Sequence, residues 1–435
     1  MIQHEPRQVL YVSSLITEEE FAKYLGEGRA VPSIAAQKFH RLLAEGLSRD
    51  PRISAVKAVS AAPVSRRMTK KLLFGIHHSV RGGVKYTVMP FVNFPVFRQM
   101  SIAVSTFVTI IRAVRSGQSA IVCDVLCGGP SIGALLAGRV TRTPVLGIVT
   151  DVPQYRPAVG NCARRMKNRV INLLGRAWIT HFDAYLLLTD AMDTVVNPRH
   201  KPRMVMEGLV DALEIASDAA PRVKDAESRI VLYTGSTHKV YGLRTLAQAF
   251  LDANPAGWEL HICGQGDMDE ELRAMAAVED SLFFHGVVAN REAVEMQKRA
   301  SLLVNPRPTH EEFTKFSFPS KNMEYMVSGT PVLTTALPGM PAEYKSYVYI
   351  VHHETRDGFR EALNELTSYS VEELEERGIR ARAFVLQQKN NTVQAARLVD
   401  LLAALWTESA PRATCCSSFT SHSSGGHAQS GEPAQ

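Results

Sequence analysis

The sequence predicts an α/β protein made of two doubly wound parallel sheets that face one another across a cleft. Three observations predict it. Short apolar runs, suited to fully buried parallel strands, alternate with segments of helical period along most of the 435 residues. A stretch of small, acidic and basic residues with a proline, Ala212 to Ser228, interrupts that alternation near the middle and reads as a linker. Glycine or polar turns follow several strands at their carboxyl ends, where open parallel sheets hold ligands. The expected organisation is a first domain over residues 1–210, a linker over 211–228, a second domain over 229–390, a helix over 391–407 that crosses back to the first domain, and a tail over 408–435. A chain of this length exceeds one typical core, and hydrophobic residues at 45% supply two.

In the first domain, Val9 to Val12 is a buried strand, followed by a polar loop with Gly26 and Gly28 and a helix-period segment from Ile34 to Leu47. Ile53 to Val59 and Val84 to Val88 read as the second and third strands. Between them lie the basic interval Arg66 to Lys71, the apolar run Leu72 to Ile76, and His77-His78. Adjacent histidines on a strand or helix cannot both face one site, and no second ligand cluster accompanies them, so no metal site is expected. Met100 to Val114 has helical spacing and Ala120 to Val125 is a strand. Cys127-Gly128-Gly129-Pro130-Ser131 then turns into the helix Ile132 to Val140, either as a tight connection or as backbone that approaches a ligand. The apolar strand from Pro144 ends in Thr150-Asp151, and Asp151 either caps the next turn or faces a ligand at the carboxyl edge. Ala184 to Thr189 is a further strand, and Met204 to Val210 is the last of the domain.

The second domain opens with the buried strand Arg229 to Thr234, which ends in Gly235-Ser236. The helix Gly242 to Phe250 follows, with Leu243, Leu246, Ala247 and Phe250 on one side. Trp258 to Cys263 is a strand that ends in Gly264-x-Gly266, but Asp269 stands where a dinucleotide fingerprint needs its third glycine, and the acids from Asp267 to Glu271 would repel a pyrophosphate there. Ser281 to Val288 is a strand and turn, Ala293 to Ala300 a helix, and Leu302 to Val304 a strand. Leu337-Pro338-Gly339-Met340-Pro341 is a rigid turn, Arg360 to Phe384 supplies helices, and Asn391 to Trp406 is amphipathic.

The chemistry concentrates in VNPRPTHEEFTKFSFPSKNMEYMVSGTPVLTT, Val304 to Thr335. Pro319 and Ser320 start a short helix, Met323, Met326 and Val327 give it an apolar side, and Gly329 with Pro331 ends it. Arg307, Lys315 and Ser317 precede its first turn, Lys321 lies in it, and Glu324 follows one turn on. Free backbone N–H groups, the positive end of the helix dipole and these cations would suit a diphosphate, with Glu324 placed to accept from ribose hydroxyls. A capped surface helix with solvated lysines is the alternative. The segment Ser317-Phe318-Pro319-Ser320-Lys321 with Glu324-Tyr325-Met326, then Gly329 and Pro331-Val332, resembles the signature of retaining glycosyltransferases of family four, in the form of a bacterial polysaccharide-assembly branch.

That resemblance implies the GT-B fold, two Rossmann-like domains facing a cleft, and a metal-independent enzyme. Such an enzyme moves a sugar from a nucleotide-diphosphate donor to a hydroxyl acceptor with retention, with no cofactor beyond the donor and no protein nucleophile. On this reading the donor contacts are Gly235, Ser236, Ser317, Lys321, Glu324 and Gly339, with Lys239, Arg307 and Lys321 replacing the family's two missing cations, and the resemblance implies an acceptor-side role for Asp151. The chain departs from the pattern in three places. Phe316 stands where the first Glu of the family's pair falls, which leaves Glu311 or Glu312 as substitutes; Ser236 and Tyr241 stand where two cations are usual; and Glu27 splits the first-loop glycines. Two other readings remain open: a nucleotide-sugar epimerase, which needs acid and base carboxylates flanking the sugar, and a catalytically silent binding subunit.

The formal net charge of +6 is modest and unevenly placed, with Arg164, Arg165, Lys167 and Arg169 lying between Arg156 and Arg176 without an acid. That segment suits an anionic membrane surface or acceptor, or is a solvated helix face. Together with Tyr86 to Ile111 it suggests a lipid-linked or glycan acceptor at the inner membrane face, and no nucleic acid partner is expected. Six cysteines without a CxxC pair fit reduced thiols in the cytoplasm. The opening residues lack a signal-peptide core, and the longest apolar tract, Val88 to Ile111, is broken by Pro90, Asn93, Pro95, Arg98 and Gln99, so no spanning helix is expected. The Ser- and Gly-rich end beyond Glu408 is expected to be disordered.

Overall fold

A computed structural model describes residues 7–17, 19–20, 34–64, 66, 69–95, 97–115, 118–152, 178–213 and 229–409. Gly26 and Gly28, the basic segment 156–176, linker residues 214–228 and the tail from 410 on lie outside the described residues.

The first half contains β1 (Arg7–Ser13), α1 (Ile34–Arg49), β2 (Ile53–Ser60), β3 (Leu73–Phe74), β4 (His77–Arg81), β5 (Val84–Val88), β6 (Phe91–Val92), α2 (Phe97–Ala113), β7 (Ser119–Asp124), α3 (Gly129–Thr141), β8 (Val145–Val149), β9 (Ala184–Leu187), the single turn α4 (Asp193–Val196) and β10 (Arg203–Val205). Its sheet runs β10-β9-β8-β7-β1-β2-β5-β4, parallel except for β4. β3 and β6 form a separate antiparallel ribbon. The central strands β1, β7, β8 and β9 are covered on both faces and are buried along almost their whole length rather than alternating. Leu10 and Val12 pack with Ile121 and Cys123 on one side, and Val9 and Tyr11 with Ala120 and Val122 on the other.

The second half contains β11 (Ile230–Thr234), α5 (Leu243–Ala253), β12 (Glu259–Cys263), α6 (Asp269–Ala276), β13 (Leu282–Gly286), α7 (Asn290–Arg299), β14 (Leu302–Asn305), α8 (Ser320–Ser328), β15 (Val332–Thr335), β16 (Tyr349–Val351), α9 (Arg356–Thr367) and α10 (Val371–Gln388). Its sheet is wholly parallel in the order β13-β12-β11-β14-β15-β16. The two sheets are of the α/β, GT-B kind. In each, strand order reverses once, between β7 and β1 and between β11 and β14, and open sheets bind ligands beyond the carboxyl ends at such points.

The final helix α11 (Asn391–Ser409) returns to the first sheet, where Ala395, Leu398, Val399, Leu402, Leu405 and Trp406 join the core around Val9 and Tyr11. Trp406 Nε1 donates to the Ser119 carbonyl at 2.9 Å, and Gly46 of α1 leaves room for the Asn391 carbonyl, which a Cβ would meet at 2.3 Å.

Two expectations need correction. Residues 72–83 carry strands that periodicity did not show: β4 is an exposed antiparallel edge, turned back by Gly82 and Gly83 at φ 56° and 78°, and edges of this kind lack the apolar run of a buried strand. The last strand of the first half covers only Arg203–Val205, and Val210 instead makes an isolated parallel bridge to Asn390.

Candidate active site

The reversal point of the second sheet gathers most of the expected donor residues. β11 ends at Thr234 and its neighbour β14 at Asn305, so Gly235-Ser236 and Pro306-Arg307 leave the sheet side by side. The loops there are laced by backbone: Gly235 N donates to Cys263 O at 2.9 Å and Gly264 N to Gly286 O at 2.7 Å. A Cβ on Gly264, at φ 150°, would lie 1.6 Å from Gly235 O, so only glycine permits this approach. The acids that seemed hostile to phosphate are already engaged. Asp269 Oδ1 accepts from Gly266 N and Thr237 Oγ1, Asp267 Oδ1 accepts from Lys239 N at 2.8 Å, and Glu271 pairs with Arg244. The hydrogen bond from Arg244 holds the Glu271 carboxyl below its usual value, and the charge of Lys239 adds a smaller effect in the same direction.

α8 points its amino end into this place. Its N-cap is Pro319, with no side-chain cap, so the first-turn N–H groups of Ser320 and Lys321 keep their donor capacity. The Lys321 side chain lies along Gly235, whose added Cβ would meet Lys321 Cε at 3.2 Å, and Lys321 Nζ stands 3.5 Å from Glu324 Oε2. Both side chains are more than a third exposed, so the pair is open to a ligand rather than locked. The inner side of α8 is polar at two positions that sequence reasoning passed over. Tyr325 OH accepts from Thr234 N at 2.8 Å and donates to Thr234 O at 3.0 Å, pinning α8 to the end of β11, and burial pushes its phenol pKa up. Asn322 accepts from Asn305 Nδ2 at 2.6 Å, tying α8 to the end of β14. The only signal for either was a polar group on the apolar side of a short helix.

Arg307 lies between the rings of Phe313, 4.7 Å from its guanidinium carbon, and Tyr241, at 5.5 Å. It donates to Ser317 Oγ at 3.1 Å, and its buried Nε has no acceptor. Burial lowers its pKa, while the nearby Tyr241, Tyr233 and Asp151 oppose that shift. Asp151, just past β8 in the first half, therefore acts on Arg307 across the gap between the two sheets. Gly339 packs against the carbonyls of Ser317 and Thr314 and the methyl of Thr189, so it belongs to the joint between the halves. Phe316 is buried in the same apolar cluster as Leu10, Val149 and Met192 of the first half, and Thr189 Oγ1 donates to Lys315 O at 2.9 Å beside it. The position where the resemblance expects a carboxylate is thus a hydrophobic plug between domains. Of the suggested substitutes, Glu312 is exposed and Glu311 lies 3.8 Å from His310.

At the reversal point of the first sheet, Tyr11 OH and His40 Nδ1 are 2.7 Å apart, and His40 Nε2 stands 3.2 Å from Asp124 Oδ2, off-line for a hydrogen bond but close enough for charge. Burial would raise the Asp124 carboxyl; His40, the Cys127 thiol and the Leu126 amide outweigh it and hold the pKa below the usual range. Cys127 donates to Asp124 Oδ2 at 3.1 Å, and burial pushes this thiol well up. These contacts fix the Cys127-Gly128-Gly129 turn that opens α3.

A cavity of about 570 Å³ lies between the halves on the hinge side and shares Gly339 with this site. Its wall includes Glu207, Glu343, Lys389 and Arg397, and it does not include Lys321, Glu324 or Asp151. We place the site at the strand ends because the cations and the uncapped helix start converge there. Among the described residues no group of three or more His, Cys, Asp and Glu side chains is placed to hold a metal ion.

Residues 228–368 match the family model for glycosyl transferases group 1. No curated protein matches the chain in sequence. The fold is similar to that of sucrose-phosphate synthase from Thermosynechococcus elongatus, at 15% identity and a TM-score of 0.61, over 92% of this chain and all of that one. It is similar to HepE of Anabaena, solved in complex with UDP, at 11% identity and a TM-score of 0.57, over 91% of this chain and all of that one. S. aureus TarM is similar at 13% identity and a TM-score of 0.52; the match covers 75% of this chain and 64% of TarM, so this chain spans about two thirds of that protein's length.

Proposed function

We propose that this chain, whose residues 228–368 form a group 1 glycosyl transferase domain, transfers a sugar from a nucleotide-diphosphate donor to a hydroxyl acceptor in cell-surface polysaccharide or glycoconjugate assembly. The observation that carries the reading is Lys321 lying along Gly235 at the uncapped start of α8, beside the stacked Arg307. Backbone N–H groups, Lys321 and Arg307 take the two phosphates, and Lys239 stands at the edge of the same loop. Glu324 accepts from the ribose hydroxyls. Fixed cations and dipoles stabilise the leaving diphosphate, without a metal ion. The sugar C1–O bond to phosphate breaks, the acceptor oxygen bonds to C1 on the same face, and the acceptor proton passes to the departing phosphate. Asp151 orients the acceptor hydroxyl from the other side, and closure of the halves excludes water. The acceptor is lipid-linked or a glycan, presented at the inner face of the membrane to a cytoplasmic enzyme.

Transfer assayed with a panel of nucleotide sugars, with the product anomer resolved, tests this reading. Retention is expected, with activity lowered about 10²-fold or more in Lys321→Ala and Glu324→Ala; an inverted product refutes the mechanism. The burial of Phe316 in the first-domain core favours a second reading, a silent binding subunit. A protein that binds a donor but neither transfers nor hydrolyses it would select that one.

A further inference from the structure

We propose that the outer face of α2 and α3, with the β3–β6 ribbon beside it, docks on an anionic membrane surface. The inference rests on the reading that the acceptor is presented at a membrane, and it names the surface that makes the contact.

Charge and apolar exposure coincide here. Residues 51–150 carry thirteen Lys and Arg against one acid, Asp124, a net +12 that is twice the +6 of the whole chain. Asp124 is buried, and of these cations Arg52 is paired with Asp50 and Asp400 beside α11 rather than on this face. Eleven of the eighteen exposed large apolar side chains among the described residues lie between Leu72 and Val140. On α2 they are Phe97, Met100 and Val104, 51%, 60% and 58% exposed and one helical stripe by spacing. On α3 they are Ile132, Leu136 and Val140.

The two stripes form one face. A Cβ at Gly129 would meet the Gln99 carbonyl, and one at Gly133 the Ala103 carbonyl, each at 2.4 Å, so the helices lie close and run in the same direction. Ile102, Thr106 and Ile110 of α2 and Ala134 and Gly138 of α3 turn inward. By helical geometry both exposed stripes then flank the same seam. The ribbon extends the face: Asn93 donates to the carbonyls of Leu72 and Lys71, which brings exposed Leu72 and Leu73 next to exposed Phe94. Gly129 opens α3 just past the carboxyl end of β7, so the face begins at the rim of the cleft. Lys70, Lys71, Arg112, Arg139 and Arg142 are exposed or half-exposed around it.

A second copy of the chain would bring two positive rims together, which repels, and a nucleic acid answers the charge but not the aliphatic stripes. An anionic bilayer answers both, with apolar side chains in the headgroup boundary and cations at the lipid charge. None of the described helices is long and apolar enough to cross a membrane, so the helices lie in the plane of the interface.

The test is sedimentation of the full chain with phosphatidylcholine vesicles, with and without phosphatidylglycerol, for the wild type and Met100→Glu/Val104→Glu. Both positions are exposed, and an unchanged melting temperature confirms folding. The wild type is expected to sediment with anionic vesicles only, and the variant about tenfold more weakly, with high salt weakening both. A wild type that stays in the supernatant overturns the proposal, as does a variant that binds like wild type. A dimer that the substitutions dissociate, without vesicle binding, assigns the face to a second copy. Donor binding, read by thermal shift on the same samples, is independent: vesicle binding without a donor shift supports this surface and counts against the function above.

Discussion

Lys321 and Arg307 reach the same place by different physics. Lys321 is a flexible cation laid along a glycine, whereas Arg307 is held by two rings and a hydroxyl, which pre-organises its planar fork for phosphate oxygens. Replacing Lys321 by alanine should lower kcat/KM for transfer by about 10²-fold with an unchanged melting temperature, because the residue is exposed and acts only on the leaving group. Steady-state kinetics and a thermal scan check this together. Removing the Tyr325 hydroxyl with Phe strands the buried Thr234 amide and should cost about 1–3 kcal/mol in urea denaturation, with a weaker effect on transfer. Lys321 and Glu324 were legible because helix-start and helix-stop residues bracket them, and Arg307 because it follows closely on the apolar strand that leads into the same loop. Tyr325 was not, since its partner lies 91 residues away and the pairing exists only once β11 and α8 are packed. Phe316 was legible as a departure, but its role as an interdomain plug was not.

Among the elements, α11 bears on the first half because it follows the second half in sequence yet packs six of its residues into the core of the first sheet. Trp406→Ala should cost about 3–5 kcal/mol, the usual range for emptying a buried aromatic site, measured by urea denaturation. The start of β2 is tied to the same helix by Arg52, which pairs with Asp50 and Asp400. The hydrogen bond from Arg52 is the main reason that the Asp50 carboxyl titrates below its usual value. A depressed carboxylate stabilises the fold above its unfolded pKa of about 4 and loses that contribution as pH falls through the lower folded value. Asp50→Asn should therefore destabilise by about 1–2 kcal/mol at neutral pH and by almost nothing in strong acid. Equal losses at both pH values would contradict the pairing. Buried strands and long helices were legible from apolar runs and 3.6-residue periods. β4 was not, because an exposed edge strand such as HHSVR has no apolar run, although Gly82-Gly83 was a hairpin signal in plain view.

In the whole molecule, the two halves are joined by a buried ion cluster as well as by the Phe316 plug. Lys389 Nζ lies 2.6 Å from Glu343 and 3.3 Å from Glu207, with Lys389 and Glu207 almost fully buried. Lys389→Met leaves Glu207 a buried carboxylate without its cation and should cost about 3–5 kcal/mol, visible as a lower urea midpoint. No sequence pattern announced this cluster, because its members lie 182 and 46 residues apart. The two-sheet architecture was legible, since alternation and strand-end glycines survive without knowledge of tertiary contacts. The joint was not, since it is made of long-range pairs. The central claim is that the start of α8 and its cations hold a diphosphate, and calorimetric titration of nucleoside diphosphates into the wild type and Lys321→Ala tests it most directly. The account predicts saturable binding of at least one nucleoside diphosphate to the wild type, weakened about tenfold or more in the variant. Equal affinity for both proteins, or no heat from any nucleotide with the folded wild type, would contradict it.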